Sequence, residues 1–353
     1  MKNEVKVLKD FIGKKYDILS FDKGWVKSIN PEVSVSLKAD VNKDFFGSVD
    51  IPSLQKILKV NYKTIVDGGS KFTFSNGRSD LSINKIEDFD MFDWVEECNN
   101  DLFEIDSKEF ISIIEKVKDK MAKDKLKPVF CATCFTKSEN NKLVVVTSDS
   151  RRLSCVTTNI DVDFEENGYL IPSEVILAMY KNRKVILTNN KISIYKNDSY
   201  STQIEFEMDN MVIISRVIDG TFPNYNQVIP KEFKSKVEIN KDQLTKDFTT
   251  AKEFSIAPTY KTIMDFGSKN LGIFSEQGSI NFKSSISIEN SYLVRFGINA
   301  SYILDALKYM NVDFNNNIEV RLLGDMSPVI ISPVKDDSYV EVIMPIMIAP
   351  KED

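Results

Sequence analysis

The sequence predicts an α+β protein made of one domain used three times. Three observations carry this. A short helix-forming segment recurs as IPSLQKILKV from Ile51, IPSEVILAMY from Ile171 and INASYILDAL from Ile298, with starts 120 and 127 residues apart. A second pair, FEIDSKEF from Phe103 and VEINKDQL from Val237, precedes the later two copies by 68 and 61 residues. Between these helices lie alternating apolar and polar stretches that read as antiparallel strands. The period is too long for a solenoid and fits a whole domain. A chain of 353 residues has room for three.

Each organising copy has an apolar lead-in, a Ser or Asn suited to a helix cap, then apolar residues at helical spacing. The middle copy reads as a helix over 171–184. Residues 1–16 predict a short helix through Val5, Leu8 and Phe11. YDILSF, WVKSI and VSVSLKA follow as strands, with Pro31 at a turn. After the first organising helix, Gly68-Gly69 and Asn76-Gly77 mark hairpins. The acidic stretch IEDFDMFDWVEECNND reads as a linker, placing a boundary near residue 100. The expected domains are 1–100, with a shortened N-terminal part, 101–232 and 233–353.

After Asp106 a helix is expected with Phe110, Ile113, Ile114, Val117 and Met121 as its apolar stripe. Lys116, Lys120, Lys123 and Lys127 fall on a separate flank. Residues 107–127 hold seven lysines against four acids on a chain of net charge −6. Cations recur on the other helices: Lys56, Lys59 and Lys63; Lys181, Arg183 and Lys184; Lys241, Lys246 and Lys252; Lys308. A solvated face explains any one of them. At equivalent places in repeated domains they also fit one shared basic surface, which the acidic remainder of the chain does not supply.

The chain contains no histidine. That removes the commonest general base and zinc ligand, and every Ser-His or Cys-His arrangement. Cys131 and Cys134 form a single CxxC inside PVFCATCF, which reads as a strand. With Cys98 and Cys155 they are expected to be buried thiols rather than a metal or redox site. There is no GxxxxGK[ST] or GxGxxG loop. Asp336-Asp337 sit in a turn, where solvated acids are ordinary. No catalytic residue, metal or cofactor is expected. No apolar run approaches a membrane span, and MKNEVKVLKD lacks a signal-peptide core, so a cytoplasmic protein is expected.

Four segments, taken in order, resemble the bacterial DNA polymerase III β subunit, the sliding-clamp family. They are VTSDSRRLS, IDGTFPNYNQVIP, FGINASYILDALKYM and SPVIISPVKDDSYVEVIMPI. The match is strong over 103–353 and weaker over 1–100. The resemblance implies three clamp domains, with antiparallel sheets outside and two helices per domain facing a central pore. Two chains joined head to tail then close a ring around duplex DNA, without reading its sequence. The cations named above become DNA-facing, and Phe254 and Ile256 fall at the dimer interface. A replicative polymerase and an ATP-dependent clamp loader are the implied partners, with no membrane.

The resemblance also implies a peptide pocket walled by Phe130, Ser148, Ser150, Arg151, Arg152, Leu153, Pro223, Gln227, Val228, Pro328, Val329, Val342, Met344, Pro345 and Ile346. Leu153, Val228 and Met344 read equally as core. The chain departs from the family at Ser150 and Arg151, where the family has glycine and histidine. It departs again at Gln227 and Met347, each an arginine there. A changed peptide preference is expected. The competing readings are a scaffold that binds proteins without encircling DNA, and a nucleotide-handling enzyme.

Overall fold

The computed structural model describes residues 1–86, 95–122, 124, 126–163, 168–197 and 202–348. Half of the expected linker, 87–94, and Lys123 lie outside them. The chain forms two compact units. One comprises Met1–Ile114, Ile160–Phe164 and Tyr169–Asp219; the other comprises Glu115–Asn159, Glu165–Gly168 and Gly220–Asp353.

The first unit is built on an eight-stranded sheet. Its order is Phe46–Asp50, Ile18–Asp22, Trp25–Ile29, Val33–Lys38, Met211–Arg216, Gln203–Met208, Lys191–Asn197, Cys98–Asp106. Every pairing is antiparallel. Helix α1 (Lys2–Ile12) buries Val5, Val7, Leu8, Phe11 and Ile12, and packs on Trp25–Ile29 and Val33–Lys38. Helix α2 (Ile51–Ile57) is the first organising copy. Asp50 caps it by accepting from the Ser53 N–H at 2.8 Å, so the serine supplies the donor rather than the cap. A separate sheet holds Thr64–Asp67, Lys71–Ser75 and Asp80–Asn84 in that order. The Asn76-Gly77 turn closes its second hairpin, with Gly77 at φ 84° and the Asn76 side chain accepting from the Arg78 and Ser79 N–H groups.

Helix α3 (Ser107–Val117) follows Cys98–Asp106 as expected, but it stops at Val117. Lys118–Lys120 is a 3-10 turn and Met121 is extended, so 116, 120 and 127 do not share one helical flank. The middle organising copy also divides. Helix α4 (Ser173–Lys181) ends at Asn182, whose amide donates to the Ala178 carbonyl, and a short α5 (Arg183–Ile186) follows. PVFCATCF is not one strand: Pro128–Cys131 is a 3-10 turn and Ala132–Lys137 a strand.

The second unit holds a run of seven strands: Ala132–Lys137, Lys142–Ser148, Arg152–Asp161, Tyr339–Ile343, Val329–Pro333, Asn317–Leu322, Ser235–Asn240. A four-stranded antiparallel sheet, Ile280–Ser287, Asn270–Gln277, Lys261–Phe266, Val294–Asn299, completes it. Helix α6 (Lys241–Glu253) buries Leu244, Phe248 and Ala251, and its cap Asn240 accepts from the Gln243 N–H. Helix α7 (Ala300–Lys308), the third organising copy, is capped by Asn299 and packs against α6.

The repeat is visible in the pairings. Cys98–Asp106 opens one module and pairs with the strand after α4; Ser235–Asn240 opens another and pairs with the strand after α7. Modules join through the last strands of their halves: Val33–Lys38 with Met211–Arg216, and Arg152–Asp161 with Tyr339–Ile343.

Candidate functional site

The pocket residues expected from the sequence all fall in the second unit. The turn at Asp149 positions one group of the expected residues. The Asp149 carboxylate accepts from the Arg151 and Arg152 N–H groups at 3.0 and 3.1 Å, and Ser148 Oγ donates to the Arg152 carbonyl. This holds Ser150 at φ 72°, the left-handed region that glycine tolerates best. The Met344 N–H donates to the Arg151 carbonyl at 2.9 Å, tying the C-terminal stretch to the turn.

Strand register sorts the remaining walls. Leu153 lies opposite Val342, which lies opposite Ile330, so these three share one face. Cys155 shares it too, by alternation. Tyr225 lies against this face: burial first, then the nearby Cys155 and Cys134 thiols, push its hydroxyl well above the usual phenol range. Phe130 packs edge-on against Phe222 at 6.2 Å, anchoring the segment that carries exposed Pro223, exposed Gln227 and half-buried Val228. Met344 is 39% exposed, beside half-buried Pro345 and Ile346. Pro328 is half-buried. Ile346 bridges to Gly297, where an added Cβ would stand 2.8 Å from the Ile346 carbonyl oxygen.

Two expected walls are corrected. Arg152 and Val329 both align with Ile343, on the opposite face from Leu153. Val329 is 1% exposed. The Arg152 guanidinium donates to Asp149, to Asp305 and to the Asp119 carbonyl, and stacks on the Tyr302 ring at 4.2 Å. Burial pulls its pKa down, but the Asp305 and Asp149 hydrogen bonds more than offset this and leave it raised. It braces α7 to the sheet rather than facing a peptide. Leu153 and Val342 are core, at 5% and 1% exposure, as their apolar character equally predicted. Two residues outside the expected set belong to the same neighbourhood in sequence or space: Met326 is 51% exposed just ahead of Val329–Pro333, and Tyr225 lies near Cys155 and Cys134. An exposed Met in a loop gives no periodic signal.

The cationic positions also divide. Lys56, Lys59, Lys63, Lys127, Lys181, Lys184, Lys246 and Lys308 are exposed; Lys116, Arg183, Lys241 and Lys252 are half-buried. Lys181 pairs with Asp10 at 2.6 Å, and Lys241 donates to the Met310 carbonyl. Lys120 is a correction. It is 0% exposed and pairs with the equally buried Glu341 at 2.6 Å, so it offers nothing to a phosphate. Ile256 is 63% exposed at the end of α6, and Phe254 is half-buried. Cys134 and Cys155 are buried, with thiols pushed up to about 12 by burial foremost. Asp337 pairs with Arg321, and Asp336 accepts from the Ser338 N–H.

The family description "DNA polymerase III beta subunit, central domain" matches residues 104–224, and its C-terminal domain counterpart matches 226–347. The chain belongs to the DNA polymerase III beta subunit family. Among curated relatives, the Beta sliding clamp of Staphylococcus aureus (strain Mu50 / ATCC 700699) is 22% identical over 341 residues, covering 90% of this chain and 86% of that one. The Beta sliding clamp of Vibrio cholerae is 24% identical over 289 residues, covering 80% and 75%. The beta subunit structure from Pseudomonas aeruginosa superimposes with a TM-score of 0.84 at 17% identity, over 98% of this chain and 97% of that chain. The one from Thermotoga maritima gives 0.81 at 19%, over 99% and 97%. At such identities the structures establish that this member keeps the beta subunit fold.

Proposed function

We infer that this chain is a DNA sliding clamp: a ring that encircles duplex DNA, slides without reading sequence, and tethers a replicative polymerase. The observation that carries this is family membership over two modules, joined to a first module that shares their order of helix, strands, helix, strands after the opening strand. Phosphate attraction by lysines on the helices is sequence-independent and permits sliding. Tethering raises the local concentration of the client, so the chain itself catalyses no reaction. The module boundaries we adopt are 1–100, 101–232 and 233–353.

The joining rule inside the chain supports a head-to-tail dimer. Within the chain, the strand that closes one module's first half pairs antiparallel with the strand that closes the next module's second half. Asp80–Asn84 and Ile280–Ser287 are the corresponding last strands left at sheet edges. A second copy brings one against the other, with exposed Ile256 and half-buried Phe254 close in sequence to that sheet. The floor formed by Leu153, Val342 and Ile330, rimmed by Met344, Pro223 and Met326, suits two or three apolar anchors of a partner peptide. The polymerase and an ATP-dependent clamp loader are the partners proposed for it.

The test is retention on nicked circular DNA with loader and ATP. Encirclement predicts that cutting the circle releases the protein; unchanged retention after cutting favours the scaffold reading. Met344→Ala with Met326→Ala is expected to weaken capture of the partner peptide at least roughly tenfold, each missing anchor being worth about 1 kcal/mol or more. Full capture by that variant removes the pocket assignment. Leu153 is left intact because truncating a buried leucine costs about 2–5 kcal/mol in stability.

A further inference from the structure

Helices α1 and α2 pack together in the first unit and leave a cleft of about 450 Å³ between them. Lys2 and Val5, in the first turn of α1, line one side. Pro52, Gln55 and Lys56 of α2, with Leu58 and Lys59 just past its end, line the other. Val5 and Leu58 are 1% and 2% exposed and give the cleft an apolar floor. Lys2, Lys56 and Lys59 are exposed, and Gln55 is half-buried.

The charge on this cleft is unfavourable by itself. Three of its lining residues are lysines and none is acidic, on a chain of net charge −6. Lys56 and Lys59 stand one turn apart, with the Lys59 N–H donating to the Lys56 carbonyl at 3.3 Å, so their like charges repel. Lys2 lies in the first turn of α1, where the positive end of the helix dipole disfavours a cation. Glu4, the acid of that turn, lies near Tyr62, whose hydroxyl is pushed above the usual phenol range by burial and then by Glu4. Several local rules broken at one cleft mark a place where a ligand supplies the missing charge. Three ammonium groups around one opening suit a multiply charged anion, and lysine binds phosphate as a point charge. The volume lies within the range of small-ligand sites, roughly 300–1,000 Å³.

We propose that this cleft is a phosphate-binding site, in which Lys2, Lys56 and Lys59 hold a phosphate group and Val5, Pro52 and Leu58 take the carbon skeleton that carries it. The Gln55 amide can both donate to and accept from that carrier. Two carriers offer this chemistry: a free nucleoside polyphosphate and the phosphodiester backbone of nucleic acid. The first owes nothing to DNA encirclement; the second rests on the proposed function. Either way, a concave site that seats one phosphate differs from a diffuse attraction by lysines spread along helices.

The probes are inorganic pyrophosphate, magnesium-free ATP and a short blunt DNA duplex, each titrated into the intact chain. Calorimetry reads affinity, and the methyl signals of Val5 and Leu58 read location. Pyrophosphate is expected to bind and to move both signals. Lys2→Ala with Lys59→Ala is expected to weaken it roughly tenfold or more, as loss of charge-assisted hydrogen bonds does. Lys43→Ala with Lys71→Ala removes the same charge from exposed positions of the same unit outside the cleft, and should leave pyrophosphate binding unchanged. Displacement of pyrophosphate by ATP but not by the duplex assigns the site to a free nucleotide; displacement by the duplex assigns it to the backbone. No binding at millimolar pyrophosphate, Val5 and Leu58 signals that stay still, or equal losses in the two double variants would overturn the site. A tetraglutamate peptide that binds there more tightly than pyrophosphate would overturn it in favour of a carboxylate. None of these readouts needs a closed ring, so retention on circular DNA can fail with this site intact.

Discussion

Lys120 and Glu341 meet at 2.6 Å with neither side chain reaching water. Glu341 also accepts from Ser154 Oγ and the Tyr339 hydroxyl, and Lys120 donates to the Lys116 carbonyl. Burial pushes the Glu341 carboxyl upward, against the pull of Lys120. Removing one partner strands a buried charge, so Lys120→Met is expected to destabilise by about 3–5 kcal/mol. The double variant Lys120→Met with Glu341→Gln should recover much of that; denaturant midpoints of the set measure it. Ser150 offers the opposite case. Its φ of 72° favours glycine, so Ser150→Gly is expected to stabilise by up to ~1 kcal/mol, the left-handed penalty less glycine's added unfolded-state freedom. A thermal melt checks this. Neither residue's situation is legible in the sequence. Lys120 reads as one more surface lysine because its partner lies 221 positions away.

At the level of elements, the Asn caps and one hairpin were legible; the serine caps expected at Ser53 and Ser173 and the element lengths were not. Asn240 and Asn299 cap where the sequence places them, and Asn76-Gly77 turns where it should. α3 ends one turn early because Lys118 and Lys120 are drawn to Tyr309 and Glu341, partners that periodicity does not encode. The strand Gln203–Met208 carries Glu205, whose carboxyl is pushed up to about 7 by burial, then by Glu207 and Glu97. A carboxyl raised above its unfolded value contributes stability in full below the unfolded pKa, and loses it as pH rises through the folded one. Unfolding of the first unit should therefore become easier between about pH 4.5 and 7. Glu205→Gln should flatten that slope, with the two melting curves converging at low pH. Equal slopes in both proteins would remove Glu205 as the cause.

At the scale of the whole molecule, the proposed head-to-tail dimer makes the sheet edges the place to test assembly. Two last strands pair within the chain at each of two module joints, and two more remain at edges. A native mass of two chains is expected, and charge insertion into Ile280–Ser287 should shift it to one. Replacing Lys56, Lys59 and Lys246 with Ala should weaken DNA retention and reduce the salt slope by about 0.9 for each phosphate that is no longer neutralised. Retention measured against salt, on closed circles, reads this directly.

The amino-acid sequence by itself determined the repeat, the helix starts, the family and the absence of histidine chemistry, because each is written in local spacing or residue type. Tertiary structure alone decided which cations stay in water, and which face of the sheet Leu153 and Arg152 take. Those depend on register and on partners far along the chain. A shift of one residue reverses a strand's faces without altering its pattern.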